Sequence, residues 1–147
     1  MNEFTVRGAT ESDINAIMEI ENASFPDPWS EHTVRTMLEI TELHLAVLCG
    51  EKTVGYAFIG ISADEAELYN IAISGEMRGT GAASALLDKA LSELKTRNVT
   101  KLYLEVREHN GRARSFYAKN GFTEIGIRKN YYESPTENAV LMTLDLN

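Results

Sequence analysis

The chain has 147 residues, 44% apolar and 24% charged, which excludes a disordered polymer and predicts one folded domain, residues 1–147. Such a domain buries roughly two thirds of the surface its unfolded chain exposes. Fourteen basic against twenty-two acidic residues leave a net charge of −8, which argues against nucleic acid and favours a cationic partner, an amine or a basic peptide.

In chain order, Phe4-Thr5-Val6-Arg7 alternates as a short strand. Glu3, Arg7, Glu11 and Asp13 interrupt any secretory apolar region, and no stretch approaches the ~18 apolar residues of a membrane span. A cytoplasmic protein with no membrane partner is therefore expected. Thr10 offers an N-cap, with Asp13 three residues on, for a helix carrying Ile14, Ile17, Met18 and Ile20. Two prolines in Phe25-Pro26-Asp27-Pro28-Trp29 must end it, and Ser30 can cap a second helix with Val34, Met37 and Leu38. Leu43 to Cys49, Thr53 to Ile61 and Glu65 to Ile73 read as an antiparallel meander, with Gly50-Glu51-Lys52 as the first turn. The single cysteine, Cys49, forbids an intrachain disulfide and reads as a small buried hydrophobe rather than a nucleophile.

From Gly81 to about Arg97 the apolar residues Ala83, Leu86, Leu87, Ala90, Leu91 and Leu94 recur at helical spacing. Leu102 to Val106 is a strand. Asn110 caps a helix with Ala113, Phe116 and Tyr117 on one face, and Asn120-Gly121 stops it. Phe122 to Lys129 and Ala139 to Leu146 complete an α/β chain with a mixed, mostly antiparallel sheet of about six to seven strands and about four helices.

Three constellations can carry chemistry. In the first, the strand ending Ile71-Ala72-Ile73 runs into Arg78-Gly79-Thr80-Gly81-Ala82-Ala83-Ser84 and a long helix. Glycines admit an anion to backbone N–H groups, and a helix N-terminus adds about half a positive charge. Alone, the turn serves equally as an ordinary strand-to-helix connection. The second is the face Tyr103, Glu105 and Arg107, opposite Leu102, Leu104 and Val106; alone, Glu105 reads as a solvated strand residue. The third is Asn110 through Tyr117, where Tyr117 alone is a core aromatic. His32, His44 and His109 lack metal-ligand spacing, so no metal is expected.

In this order and spacing the three pieces resemble the GNAT superfamily of acetyl-CoA-dependent N-acyltransferases, whose motif Gln/Arg-x-x-Gly-x-Gly/Ala is met by Arg78-x-x-Gly81-x-Ala83. Phe25-Pro26…Pro28-Trp29-Ser30, Asn70-Ile71-Ala72-Ile73, Leu104-Glu105-Val106-Arg107, Phe116-Tyr117…Asn120-Gly121-Phe122 and Arg128-Lys129-Asn130-Tyr131-Tyr132 are similar to the ribosomal-protein-alanine N-acetyltransferases within it. Two departures stand out: Gly79 replaces a frequent second basic residue, and one extra residue separates Phe25 from Pro28-Trp29.

The resemblance implies acetyl-CoA as cosubstrate and a protein N-terminus, that of a ribosomal protein, as acceptor. It implies direct transfer with Glu105 as base and Tyr117 as acid. Ile71, Ala72 and Ile73, the turn Arg78, Gly79, Thr80, Gly81, Ala82, Ala83 and Ser84, and Asn110 would hold the cofactor. Pro26, Trp29, Ser30, Arg128, Tyr131 and Tyr132 would face the acceptor. Two other readings stay open: acetylation of a lysine, polyamine or other small amine, and a non-catalytic acyl-CoA-binding module.

Overall fold

The computed structural model describes residues 3–147. Seven strands form one sheet in the order β1-β2-β3-β4-β5-β7-β6. The strands are β1 (Phe4–Gly8), β2 (Leu43–Cys49), β3 (Lys52–Ser62), β4 (Glu65–Ile73), β5 (Lys101–Arg107), β6 (Thr123–Tyr132) and β7 (Glu137–Asp145). The helices are α1 (Ile14–Ser24), α2 (Glu31–Ile40), α3 (Ala82–Thr96) and α4 (Gly111–Lys119). Both the mixed sheet and the helix count agree with the sequence.

Local signals set the helix ends. The Thr10–Asp13 capping box opens a single 3-10 turn, Glu11–Asp13, which feeds α1. Ser30 Oγ accepts from Thr33 N–H at 3.1 Å to start α2, and Asn110 Oδ1 accepts from Ala113 N–H at 3.2 Å to start α4. Gly121, with φ +93°, follows α4 as the left-handed stop. The β2–β3 turn is shorter than the sequence suggests: Cys49 pairs with Lys52, so Lys52 belongs to the strand. Gly50 supplies the positive φ (+64°) that fits a two-residue loop to the twist of its strands. Cys49 is half-buried at the end of β2, not fully enclosed.

Each face of the sheet has its own core. Leu86, Leu87, Ala90 and Leu94 of α3 and Tyr117 of α4 pack with Leu45, Val47, Leu68, Leu102, Leu104 and Met142. Ile14, Ile17 and Ile20 of α1 and Val34 of α2 pack with Tyr56, Phe58 and Ala72 on the other side. Burying one such aliphatic side chain contributes about 1.5–3 kcal/mol.

Two irregularities position the site. The strands β4 and β5 run parallel, yet they pair only from Glu65↔Lys101 to Leu68↔Leu104. Beyond that point they diverge, and no partner fills the gap between Tyr69–Ile73 and Glu105–Arg107. At the same point β4 carries a bulge: Ile59 faces Leu68 and Phe58 faces Asn70, which leaves Tyr69 as the extra residue. One inserted residue exchanges the faces that alternate positions present. Ala66 and Leu68 accordingly pack with the α3 core, whereas Ala72 packs with α1. Tyr69 lies over Gly60, where any Cβ would come within 2.6 Å of its ring.

Candidate active site

The gap between β4 and β5 opens into two clefts that meet. The larger, about 610 Å³, lies between the end of β4, the start of α3 and the start of α4. Its walls include Ile71, Ala72, Ile73, Arg78, Gly79, Gly81, Ala82, Ala83, Ser84 and Asn110, so ten of the eleven residues expected to hold the cofactor come together. Thr80 is the exception; its hydroxyl donates to Met77 C=O and closes the turn from within. Met77, Arg112 and Phe116, to which the sequence assigned no cofactor contact, also line this cleft.

The turn is shaped to receive an anion. Gly79 and Gly81 adopt φ +76° and +96°, a region closed to most side chains. The first bond of α3 runs from Ala85 N–H to Gly81 C=O at 3.0 Å. The N–H groups of Ala82, Ala83 and Ser84 thus project from the helix end, where the peptide dipoles concentrate positive potential. Arg78 makes no ion pair among the described residues and adds its charge to the same wall. This set of donors suits a pyrophosphate, as in the cofactor implied by the motif.

The smaller cleft, about 190 Å³, lies on the α1 side and is lined by Glu21, Trp29, Asn70, Glu105, Arg107, Tyr117 and Tyr132 among others. Phe25, Ile71, Asn110, Ala113 and Tyr117 border both clefts and form the neck between them. Of the residues expected at the acceptor, Trp29 and Tyr132 line this cleft. Arg128 lies on an adjoining groove that also includes Glu67 and Glu105. Pro26, Ser30 and Tyr131 line neither; Ser30 is occupied as the α2 cap, and Tyr131, 49% exposed, stands edge-on to Tyr132 at 5.1 Å.

Strand periodicity places Glu105 on the face opposite Leu104 and Val106, as the sequence implies. Its side chain is mostly buried. Arg128 Nε forms an ion pair with Glu105 Oε2 at 3.3 Å, but off the line of a hydrogen bond, so among the described residues this buried oxygen has no hydrogen-bond donor. A buried carboxylate oxygen that meets a cation but no aligned hydrogen-bond donor is uncommon in a core built for stability alone. The neighbouring Glu67 carboxyl is raised above its ordinary value, by burial and then by the charge of Glu105, with Arg128 opposing. The Tyr132 phenol is pushed up to about 12, mainly by burial and next by Glu105. Tyr117, buried, is raised further, by desolvation and then by Tyr132. Both phenols keep their protons throughout the physiological range.

Several supporting residues received no role from the sequence. Arg107 stacks on Tyr132 at 4.4 Å and binds Glu137 (3.2 Å) and the carbonyls of Glu133 and Pro135. It thereby ties the β6–β7 connection to the end of β6, where both tyrosines lie. Glu137 in turn accepts from His109 N–H at 2.7 Å and is held below the usual carboxylate range, first by that bond. Glu21 is 1% exposed and accepts from Tyr56, Asn70 and Trp29. Its position was readable: Ile14, Ile17 and Glu21 fall on one helical face.

A sheet split beside a glycine-rich helix start defines an acyltransferase that takes its acyl group from a CoA thioester. The chain belongs to the acetyltransferase (GNAT) family, whose model matches residues 14–122, and its cosubstrate is acetyl-CoA. Within that family it groups with the ribosomal-protein-alanine N-acetyltransferases. It is 41% identical over 133 residues to the ribosomal protein bS18-alanine N-acetyltransferase of Haemophilus influenzae, covering 88% of this chain and 90% of the relative. The crystal structure of the ribosomal-protein-S18-alanine N-acetyltransferase of Escherichia coli superposes with a TM-score of 0.91 at 33% identity, covering 99% of this chain and 95% of that one. Ard1 of Thermoplasma volcanium superposes with a TM-score of 0.92 at 26% identity, covering 97% of both chains. No helix among the described residues is long and apolar enough to cross a membrane.

Proposed function

We propose that this chain transfers the acetyl group of acetyl-CoA to the α-amine of a protein N-terminus, that of the N-terminal alanine of ribosomal protein bS18, the acceptor named for its relatives. The observation that carries the mechanism is Glu105: a mostly buried carboxylate in the strand split, with one oxygen that has no hydrogen-bond donor among the described residues. The cosubstrate supplies an activated thioester carbon when bound. The acceptor must present a neutral amine. An α-amino group, with pKa ≈ 7.7–8.0, is already roughly 10% neutral at pH 7, whereas a lysine amine is neutral in about one molecule in 2,500. Glu105 therefore has a modest task with an N-terminus, to take the proton the amine sheds as the new bond forms.

Ile71–Ile73 line the cofactor cleft on the part of β4 that does not pair with β5, and a backbone N–H of this stretch would stabilise a carbonyl oxygen that gains charge. Tyr117, at the same neck and fully protonated, donates toward the departing thiolate. A free thiol has pKa ≈ 8.5, so complete transfer from this phenol is uphill and its role is partial donation. Cys49 lines neither cleft, in keeping with direct transfer that needs no covalent enzyme intermediate.

The test is thiol release from acetyl-CoA with a panel of acceptors: an N-terminal-alanine peptide matching the bS18 N-terminus, the same peptide with a blocked N-terminus, a lysine peptide and polyamines. Release with the free N-terminus alone is expected. Equal release with the blocked lysine peptide or a polyamine would overturn the acceptor class, and cofactor binding without turnover would overturn the enzymatic reading.

A further inference from the structure

The most deeply buried carboxylate on the acceptor side is Glu21, near the end of α1 and 1% exposed. Burial raises its pKa, against the pull of its hydrogen-bond donors. A carboxylate in such a place is costly unless its lone pairs are met. Here three donors converge: the Tyr56 hydroxyl and Asn70 Nδ2 (2.7 Å) on Oε1, and Trp29 N–H (2.7 Å) on Oε2. They come from β3, from β4 and from the connection between α1 and α2.

Packing alone does not call for this arrangement. Glu21 sits beside an apolar cluster that includes Ile17, Ile20 and Phe58, and replacing a buried charge together with its partners by apolar groups of similar size is often neutral or stabilising. What the charge adds is registry. It joins a loop backbone to a particular side chain of β4. The bulge at Tyr69 belongs to the same device, since without it Asn70 would point to the opposite face.

We propose that Glu21 is a positioning residue for the acceptor amine. By holding Trp29 N–H and Asn70 together it fixes the wall of the smaller cleft that faces the acceptor, and so sets the approach of the amine toward Glu105. The inference rests on the reading of that cleft as the acceptor pocket. It predicts a loss in acceptor affinity with the cofactor cleft untouched, because none of the three donors belongs to the turn at Arg78–Ser84.

Trp29 is the only tryptophan in the chain, so its fluorescence reports on the loop directly. Glu21→Leu should raise the KM for the N-terminal-alanine peptide at least about tenfold and leave the Kd of acetyl-CoA within about twofold. It should also make Trp29 markedly easier to quench with acrylamide. Glu21→Gln, which keeps the shape and can still meet two of the three donors, should give a smaller shift in the same direction. Asn70→Ala provides a third variant should Glu21→Leu fail to fold.

Unchanged peptide KM and unchanged quenching in Glu21→Gln and Asn70→Ala would overturn the proposal. So would an equal loss of peptide and acetyl-CoA affinity, the mark of general loosening. If the unaltered protein acetylates no N-terminal peptide, the acceptor reading fails by itself. In that case the quenching arm still decides whether Glu21 holds the loop.

Discussion

The two sides of the strand split are built from different materials. On the cofactor side the donors are backbone groups: a helix start, two glycines in left-handed conformation, and one cation, Arg78. On the proposed acceptor side the polar groups are side chains drawn from distant parts of the chain, the carboxylates Glu21 and Glu105 with Asn70, Arg107, Arg128 and Tyr132. A pyrophosphate is the same in every reaction of the family, and a backbone cradle recognises it with little dependence on side-chain identity. An acceptor has to be distinguished from its competitors, and that requires side chains whose loss is felt individually.

This contrast makes graded predictions. Glu105→Gln, which keeps the shape but cannot take a proton, should lower kcat/KM about 10²–10³-fold with acetyl-CoA binding unchanged, by calorimetry. An unaltered rate would remove Glu105 from the chemistry. Gly81→Val forces a β-branched residue to φ +96° at the cradle and should weaken acetyl-CoA binding about 100-fold. Normal binding would show that the cradle does not depend on this backbone.

Tyr117→Phe should lower kcat about tenfold or less, since the donation is partial. In the parent enzyme, activity should rise with pH through the range where an α-amine loses its proton, about 7.7–8.0. Because burial first, then Glu105, holds Tyr132 up to about 12, and Tyr117 is also raised, neither phenol should cause a decline below about pH 10. A descending limb near pH 9 that disappears in Tyr117→Phe would mean that its phenol is more acidic than its burial implies. Arg78→Ala should weaken acetyl-CoA binding only about three- to tenfold, as one exposed charge among many backbone donors. If it exceeded the Gly81→Val effect, the cofactor side would be side-chain-built after all.

Legibility in the sequence follows the same division. The turn at Arg78–Ser84, the caps at Ser30 and Asn110 and the two faces of β5 depend on neighbours in the chain, so local pattern reveals them. Glu105 and Tyr117 became candidates only in combination with the turn. The acceptor side is less legible, because its residues meet through tertiary structure. Glu21 resembles a surface glutamate until its helical phase is compared with Ile14 and Ile17. Asn70 owes its direction to an inserted residue that strand alternation does not anticipate. Arg107 and Glu137 meet because β7 enters between β5 and β6, a pairing across 30 residues that no local signal encodes.

That entry of β7 also has a temporal meaning. Until β7 arrives, β5 has only its four-residue pairing with β4, and β6 has no sheet neighbour at all. A growing chain therefore carries the motif-bearing turn and the strand of Glu105 long before Arg128 and Tyr132 can take their places beside them. Val140 and Met142 of β7 also pack in the core beneath α3, so a chain that ends before Glu137 loses the placement of Arg128 and Tyr132 and part of the support of the cofactor side together.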